Sequence, residues 1–171
     1  MESFNFYKSI YDRELNRRMD LDKSINIPIT ILTLIIGLNS IYTDREFFED
    51  FFCELEVVQV MIITIGITIL ISAFFLIKSY NNLFKGFAYR NLALTKDIRE
   101  FETKQIPDYN SQVSEEDKLT FETELIERLI TVTDNHTTFN DQRSLDLYRA
   151  KTFLIVSLIL TGIQLVIVTF K

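Results

Sequence analysis

The chain has 171 residues, 47% hydrophobic and 25% charged, with a formal net charge of −6. A single Cys excludes a disulfide-stapled fold, one Cys and one His leave a zinc cluster without ligands, and the acidic balance predicts no nucleic-acid partner. The charges avoid three stretches, Ser24–Thr43, Val57–Ile77 and Thr152–Phe170, of 20, 21 and 19 residues. At about 1.5 Å per residue a 20-residue helix spans about 30 Å, the hydrocarbon thickness of a bilayer. The expectation is an all-α integral membrane protein with three transmembrane helices.

Residues 1–23 place Phe4, Tyr7, Tyr11 and Leu15 at helical spacing among Asp12, Arg13, Arg17 and Arg18. This predicts a cytoplasmic amphipathic helix leading into the first span, residues 24–43. Pro28 falls in the first turn of that span, where a missing N–H costs little. A cleaved signal peptide is the rival reading, but 23 residues of charged chain precede the apolar run and no small-residue cleavage site follows it.

Residues 44–56 form a short acidic and aromatic connection. Thr43-Asp44-Arg45-Glu46 fits a capping box, and Phe47, Phe48, Phe51, Phe52 and Leu55 then share one helical face. The plain reading is a helix dipped into the outer interface; the sharper one is a sensor of something outside. The second span, 57–77, stops at Lys78.

Within 78–151, Tyr80, Phe84, Phe87, Asn91, Leu94, Ile98 and Phe101 repeat with alternating spacings of four and three. That predicts continuation of the second span's helix, with a heptad seam for an oligomer or hairpin contact and one Asn to fix register. Pro107-Asp108-Tyr109-Asn110-Ser111 reads as a turn, and Ser114 with Asp117 as the cap of a returning helix. No Pro or Gly interrupts the chain between Ser114 and Thr161, so this helix is expected to run straight into the third span, 152–170. The segment 78–151 is then a cytoplasmic helical hairpin. Thirteen strongly apolar residues in the third span favour insertion by about 4–8 kcal/mol.

Sixteen Lys and Arg flank the spans on one side against two on the other. The basic side is cytoplasmic by this rule, which puts the N-terminus inside, the 44–56 connection outside and the C-terminus outside.

Each span carries a polar stripe: Asn26, Thr30, Thr33, Gly37 and Ser40; Thr64, Thr68 and Ser72; Ser157, Thr161 and Gln164. Small and hydroxyl residues are the usual packing surface of membrane helices; the alternative is that one stripe lines a water-filled path in an oligomer. Gln164 is the most informative, because a primary amide in hydrocarbon needs a partner. Lys85, Arg90, Arg143 and Arg149, with Lys96 and Arg99 nearby, could contact phospholipid headgroups or a small anion. His136 stands in the polar run Asp134-Asn135-His136-Thr137-Thr138 and is expected to be an exposed helix residue. Cys53 has no partner, and no nucleotide-loop or metalloprotease pattern occurs, so neither an enzyme nor a cofactor is expected.

A charged juxtamembrane helix (Tyr11 to Lys23), two close spans and the returning segment Lys78-Ser79-Tyr80-Asn81-Asn82-Leu83-Phe84-Lys85-Gly86-Phe87-Ala88-Tyr89-Arg90-Asn91 together resemble the SLATT-type bacterial membrane proteins. The resemblance covers roughly the first hundred residues; the third span departs from a two-span unit. It implies an oligomeric inner-membrane effector of antiphage defence that disrupts the membrane when signalled by a cytosolic protein partner or a nucleotide second messenger. The alternative is a non-conducting anchor or sensor that recruits a soluble effector through its cytoplasmic helices.

Overall fold

A computed structural model describes residues 2–41, 57–80 and 89–170, which are helical with short connections and contain no strand. Helix α1 (Glu2–Ser24) and helix α2 (Asn26–Ser40) are separated only by Ile25, whose angles of φ −78° and ψ −26° remain helical. Pro28 accounts for the interruption: it has no N–H to give the carbonyl of Ser24, and the ladder resumes with Ile29 N–H donating to the Ile25 carbonyl at 3.2 Å. Pro28 thus lies in the first turn of α2, as expected, but the helix before it has barely ended.

Helix α3 (Val57–Ser79) contains the second apolar stretch. It ends there, with Tyr80 N–H shared between the carbonyls of Leu76 and Ile77. The expected helical seam from Tyr80 to Phe101 is corrected here: residues 89–94 are not helical, and Leu94 is 74% exposed. The reason is local. Arg90 gives its backbone N–H to Asn135 Oδ1 at 2.8 Å and its carbonyl to His136 Nε2 at 2.8 Å, so groups a helix would use in its own ladder are taken by side chains. Phe84, Lys85 and Phe87 of that expectation, like the 44–56 connection, lie outside the described residues.

Helix α4 (Thr95–Glu100), a π-helical turn (Phe101–Gln105) and helix α5 (Ile106–Asn110) follow without a gap. Pro107 therefore sits inside helix rather than in the expected turn. The wider π turn immediately precedes it, where the next backbone donor is missing. The turn falls at residues 111–113 instead, and the loop behind it is closed by Asn110, which donates to the Leu119 carbonyl and accepts from Leu119 N–H, both at 2.9 Å.

Ser114 bonds Asp117 at 2.7 Å, but this organises a 3₁₀ turn (Glu115–Asp117) and not the long helix. That helix, α6 (Phe121–Thr169), is capped by Thr120, whose Oγ1 accepts from Thr123 N–H at 3.3 Å. Its 49 residues correspond to about 74 Å. The uninterrupted course into the third apolar stretch is as expected.

The chain divides into two compact units, one of Met1–Met19 and Ala88–Asp141, the other of Asp20–Phe87 and Gln142–Lys171. In the first, Tyr89, Ile106, Leu129 and Val132 are the buried apolar residues. In the second, one cluster gathers Leu21, Ile25, Leu76, Leu147 and Ala150, and another Ile35, Ile65 and Leu154. Among the described residues, three helical stretches, ending in α2, α3 and α6, are long and apolar enough to cross a membrane, and only about a fifth of the apolar window of each is buried within the chain.

Candidate functional site

In the first unit the buried residues are polar to an unusual degree, and they converge on Asn140. Its amide donates to the Glu14 carbonyl at 2.9 Å and to Glu14 Oε2 at 3.1 Å, while its own oxygen accepts from Tyr89 Oη at 2.9 Å. Glu14, only 2% exposed, also takes Arg13 at 3.3 Å and Arg17 at 3.5 Å, and Arg17 reaches on to Asp141 at 2.6 Å. Burying a carboxylate costs several kcal/mol unless cations and donors surround it, and here both are present. The Arg18 guanidinium lies 4.3 Å from the centre of the Tyr89 ring.

His136 is fully buried, which corrects the expectation of an exposed residue. Its ring meets Tyr89 at 5.0 Å and Tyr11 at 5.9 Å. A carbonyl can only accept, so the Nε2 bonded to Arg90 carries the hydrogen. Asn135, His136 and Asn140 thus hold the non-helical segment 89–90 against α6. Sequence reasoning missed this site because its members lie far apart in the chain: Glu14, Tyr89 and Asn140 share no local pattern. The available signal was three amide and imidazole side chains, Asn135, His136 and Asn140, within about one and a half turns of the long helix.

In the second unit the predicted stripes behave differently from one another. Thr68 and Ser72 on α3 and Ser157, Thr161 and Gln164 on α6 are all buried and form a seam between helices. Ser72 Oγ donates to the Ala150 carbonyl at 2.9 Å, Ser157 Oγ to Thr68 Oγ1 at 2.8 Å, and Asn39 Nδ2 to Thr161 Oγ1 at 3.1 Å. Such contacts suit helices that meet in an apolar surrounding, where small residues allow close approach and a neutral hydroxyl finds a partner cheaply.

The stripe on α2 is not part of this seam. Asn26, Thr30, Thr33, Gly37 and Ser40 are exposed, and the hydroxyls of Thr30, Thr33 and Ser40 bond carbonyls of their own helix at 3.1, 2.9 and 2.8 Å. The α2 residue that does join is Asn39, on the opposite face with Ile35. Thr64 is likewise exposed and bonds the Val60 carbonyl.

Among the described residues offered for lipid or anion contact, Arg143 and Arg149 both have acidic partners. Arg143 is 1% exposed, contacts Asp22, and donates from Nε to the Ser79 carbonyl at 2.8 Å, while Ser79 Oγ returns a bond to the Arg143 carbonyl at 3.0 Å. This corrects its assignment as a headgroup or anion contact: burial forced it to take internal partners. Arg149 lies 3.8 Å from Asp146, which also receives Lys78 at 3.1 Å. Arg90, in the first unit, is exposed; Lys85 lies outside the described residues. Of the seam residues expected in 80–101, Tyr80, Asn91 and Leu94 are exposed, and Ile98 and Phe101 half-buried, the latter under the Arg128 guanidinium at 4.6 Å.

Compared with known proteins, the chain matches no family model, no curated protein and no solved structure.

Proposed function

We propose that the chain is a three-span protein of the bacterial inner membrane, N-terminus cytoplasmic and C-terminus outside, acting without catalysis as an oligomeric effector of antiphage defence. In this reading it permeabilises the membrane when a cytosolic protein or a nucleotide second messenger signals infection. The observation that carries the membrane part is the seam of neutral hydroxyl and amide contacts inside three apolar stretches whose outward surfaces are Ile, Leu, Val and Phe. The asymmetry of Lys and Arg supports the orientation, and the SLATT-like order of parts supports the effector role. The test is to express the chain with its partner and trigger and follow membrane potential with a voltage-sensitive dye. Collapse of the potential within the killing time is expected; normal potential and growth would sink the effector reading.

One observation favours a second reading, a non-conducting anchor that recruits a soluble effector. Ser72 and Ser157 have no solvent exposure, so these two, with Thr68, are occupied in helix contacts and not free to line a path. Affinity capture of the full-length protein from mild detergent separates the two: a stoichiometric soluble partner with an intact potential supports the anchor.

A further inference from the structure

Gln164 is 1% exposed, and neither Oε1 nor Nε2 has a hydrogen-bond partner. It lies on α6 three residues beyond Thr161 and seven beyond Ser157, on the face that carries the seam. The lower members of that seam are satisfied: Ser72 by the Ala150 carbonyl, Ser157 by Thr68. Thr161 is half satisfied. Its oxygen accepts from Asn39, and a hydroxyl that accepts still has its own hydrogen to donate. A buried amide left with two unmet groups in an apolar surrounding is unfavourable, and an internal water is stable where two to four polar groups converge.

We infer that the outer end of the seam is a hydration site, in which one ordered water donates to Gln164 Oε1 and accepts from Gln164 Nε2 or the Thr161 hydroxyl. The inference rests on the bilayer placement proposed above and is independent of whether the protein permeabilises. It makes the seam two-part: dry hydroxyl contacts at Ser72, Thr68 and Ser157, and a wet end at Thr161 and Gln164. Neutral donors and acceptors, with no ion among them, suit water and leave an anion or metal ion without a counter-charge.

The experiment is water-edited solid-state NMR on the full-length protein in phosphatidylethanolamine/phosphatidylglycerol bilayers, with labelled glutamine and carbonyl-labelled isoleucine. Ile163-Gln164 is the one Ile-Gln pair in the chain, so the Gln164 side chain is assigned without any variant. Bilayers are washed with alkaline carbonate first; a protein removed by that wash overturns the bilayer placement and this site with it. With the protein retained, rapid magnetisation transfer from water to the Gln164 amide is expected, and its absence overturns the hydration site alone, leaving an amide turned onto its own helix. Gln164→Leu is expected to lower the melting temperature by a few degrees or leave it unchanged, because it strands the Thr161 hydroxyl. A rise of several degrees would instead show that the amide had been dry and unmet.

Discussion

Glu14 and Ser157 are almost equally inaccessible to solvent, yet one is an acid held by an amide and two guanidinium groups and the other a neutral hydroxyl held by another hydroxyl. The first belongs to the unit of α1 through Met19, the 89–90 segment and residues 121–141 of α6; the second to the unit of apolar stretches. Both residues join helices. On the bilayer placement proposed above, the difference lies in what surrounds each unit. Arg13 and Arg17 are 69% and 35% exposed in their side chains, so water shares in stabilising the cations that hold Glu14. In hydrocarbon no such help exists and a charge costs several kcal/mol, whereas a hydroxyl that meets a hydroxyl or carbonyl costs little. Among the described residues of the second unit, ionic contacts join Asp22, Lys78, Arg143, Asp146 and Arg149, all outside the uncharged stretches.

The comparison predicts unequal costs of deletion. The largest belongs to Asn140→Ala, which removes both amide bonds to Glu14 and the acceptor of Tyr89 while leaving the carboxylate buried. A loss of about 3 kcal/mol is expected, the range for stripping a partner from a buried charge, read from reversible unfolding of the full-length protein in detergent. The 89–90 segment should also become sensitive to trypsin after Arg90. A loss under about 1 kcal/mol would mean that the arginines alone hold Glu14, and the contrast between the units would weaken.

Next is Arg143→Met, which keeps the apolar stem and removes the guanidinium. The cost is expected to be about 2 kcal/mol, smaller because Asp22 is about half exposed and regains water once released. Part of the loss comes from the Ser79 carbonyl, left buried without its donor. Adding Ser79→Ala removes the returning hydroxyl bond: if the reciprocal bonds act as a unit, the double variant loses less than the two single losses together.

These two sites mark the limit of what a single sequence displays. The three apolar stretches and the continuity of α6 were legible because each is a local pattern of composition and helical period. The heptad of 80–101 was equally regular, and it did not become a helix at 89–94 because Asn135 and His136 capture both backbone groups of Arg90, an arrangement set 45 residues away. Burial of His136 and Arg143 escaped for the same reason: polar residues on a long helix read as solvent-facing until the partners Tyr89, Ser79 and Asp22 are known. The stripe periods picked out the buried face on α6 and, on α3, Thr68 and Ser72 but not the exposed Thr64. On α2 the longer stripe was the exposed one, and the lone Asn39 opposite made the contact.

That last contrast yields the smallest effect. Thr30, Thr33 and Thr68 are all threonines in apolar stretches, and all bond a carbonyl of their own helix. Only Thr68 has a second bond, from Ser157 on α6. Thr68→Val is therefore expected to cost about 0.6–1.5 kcal/mol, the range of side-chain bonds between membrane helices, and no more, because Ser157 keeps the Phe153 carbonyl at 2.9 Å as a fallback. Thr30→Val and Thr33→Val should stay within about 0.3 kcal/mol, since valine is no less compatible with lipid and both positions are exposed among the described residues. The measurement is paired: all three variants in one detergent, then in bilayers at high and low protein-to-lipid ratio. If Thr30→Val matches Thr68→Val only at the high ratio, the exposed stripe of α2 is covered by another copy of the chain, and the distinction between buried and exposed stripes applies to the protomer alone.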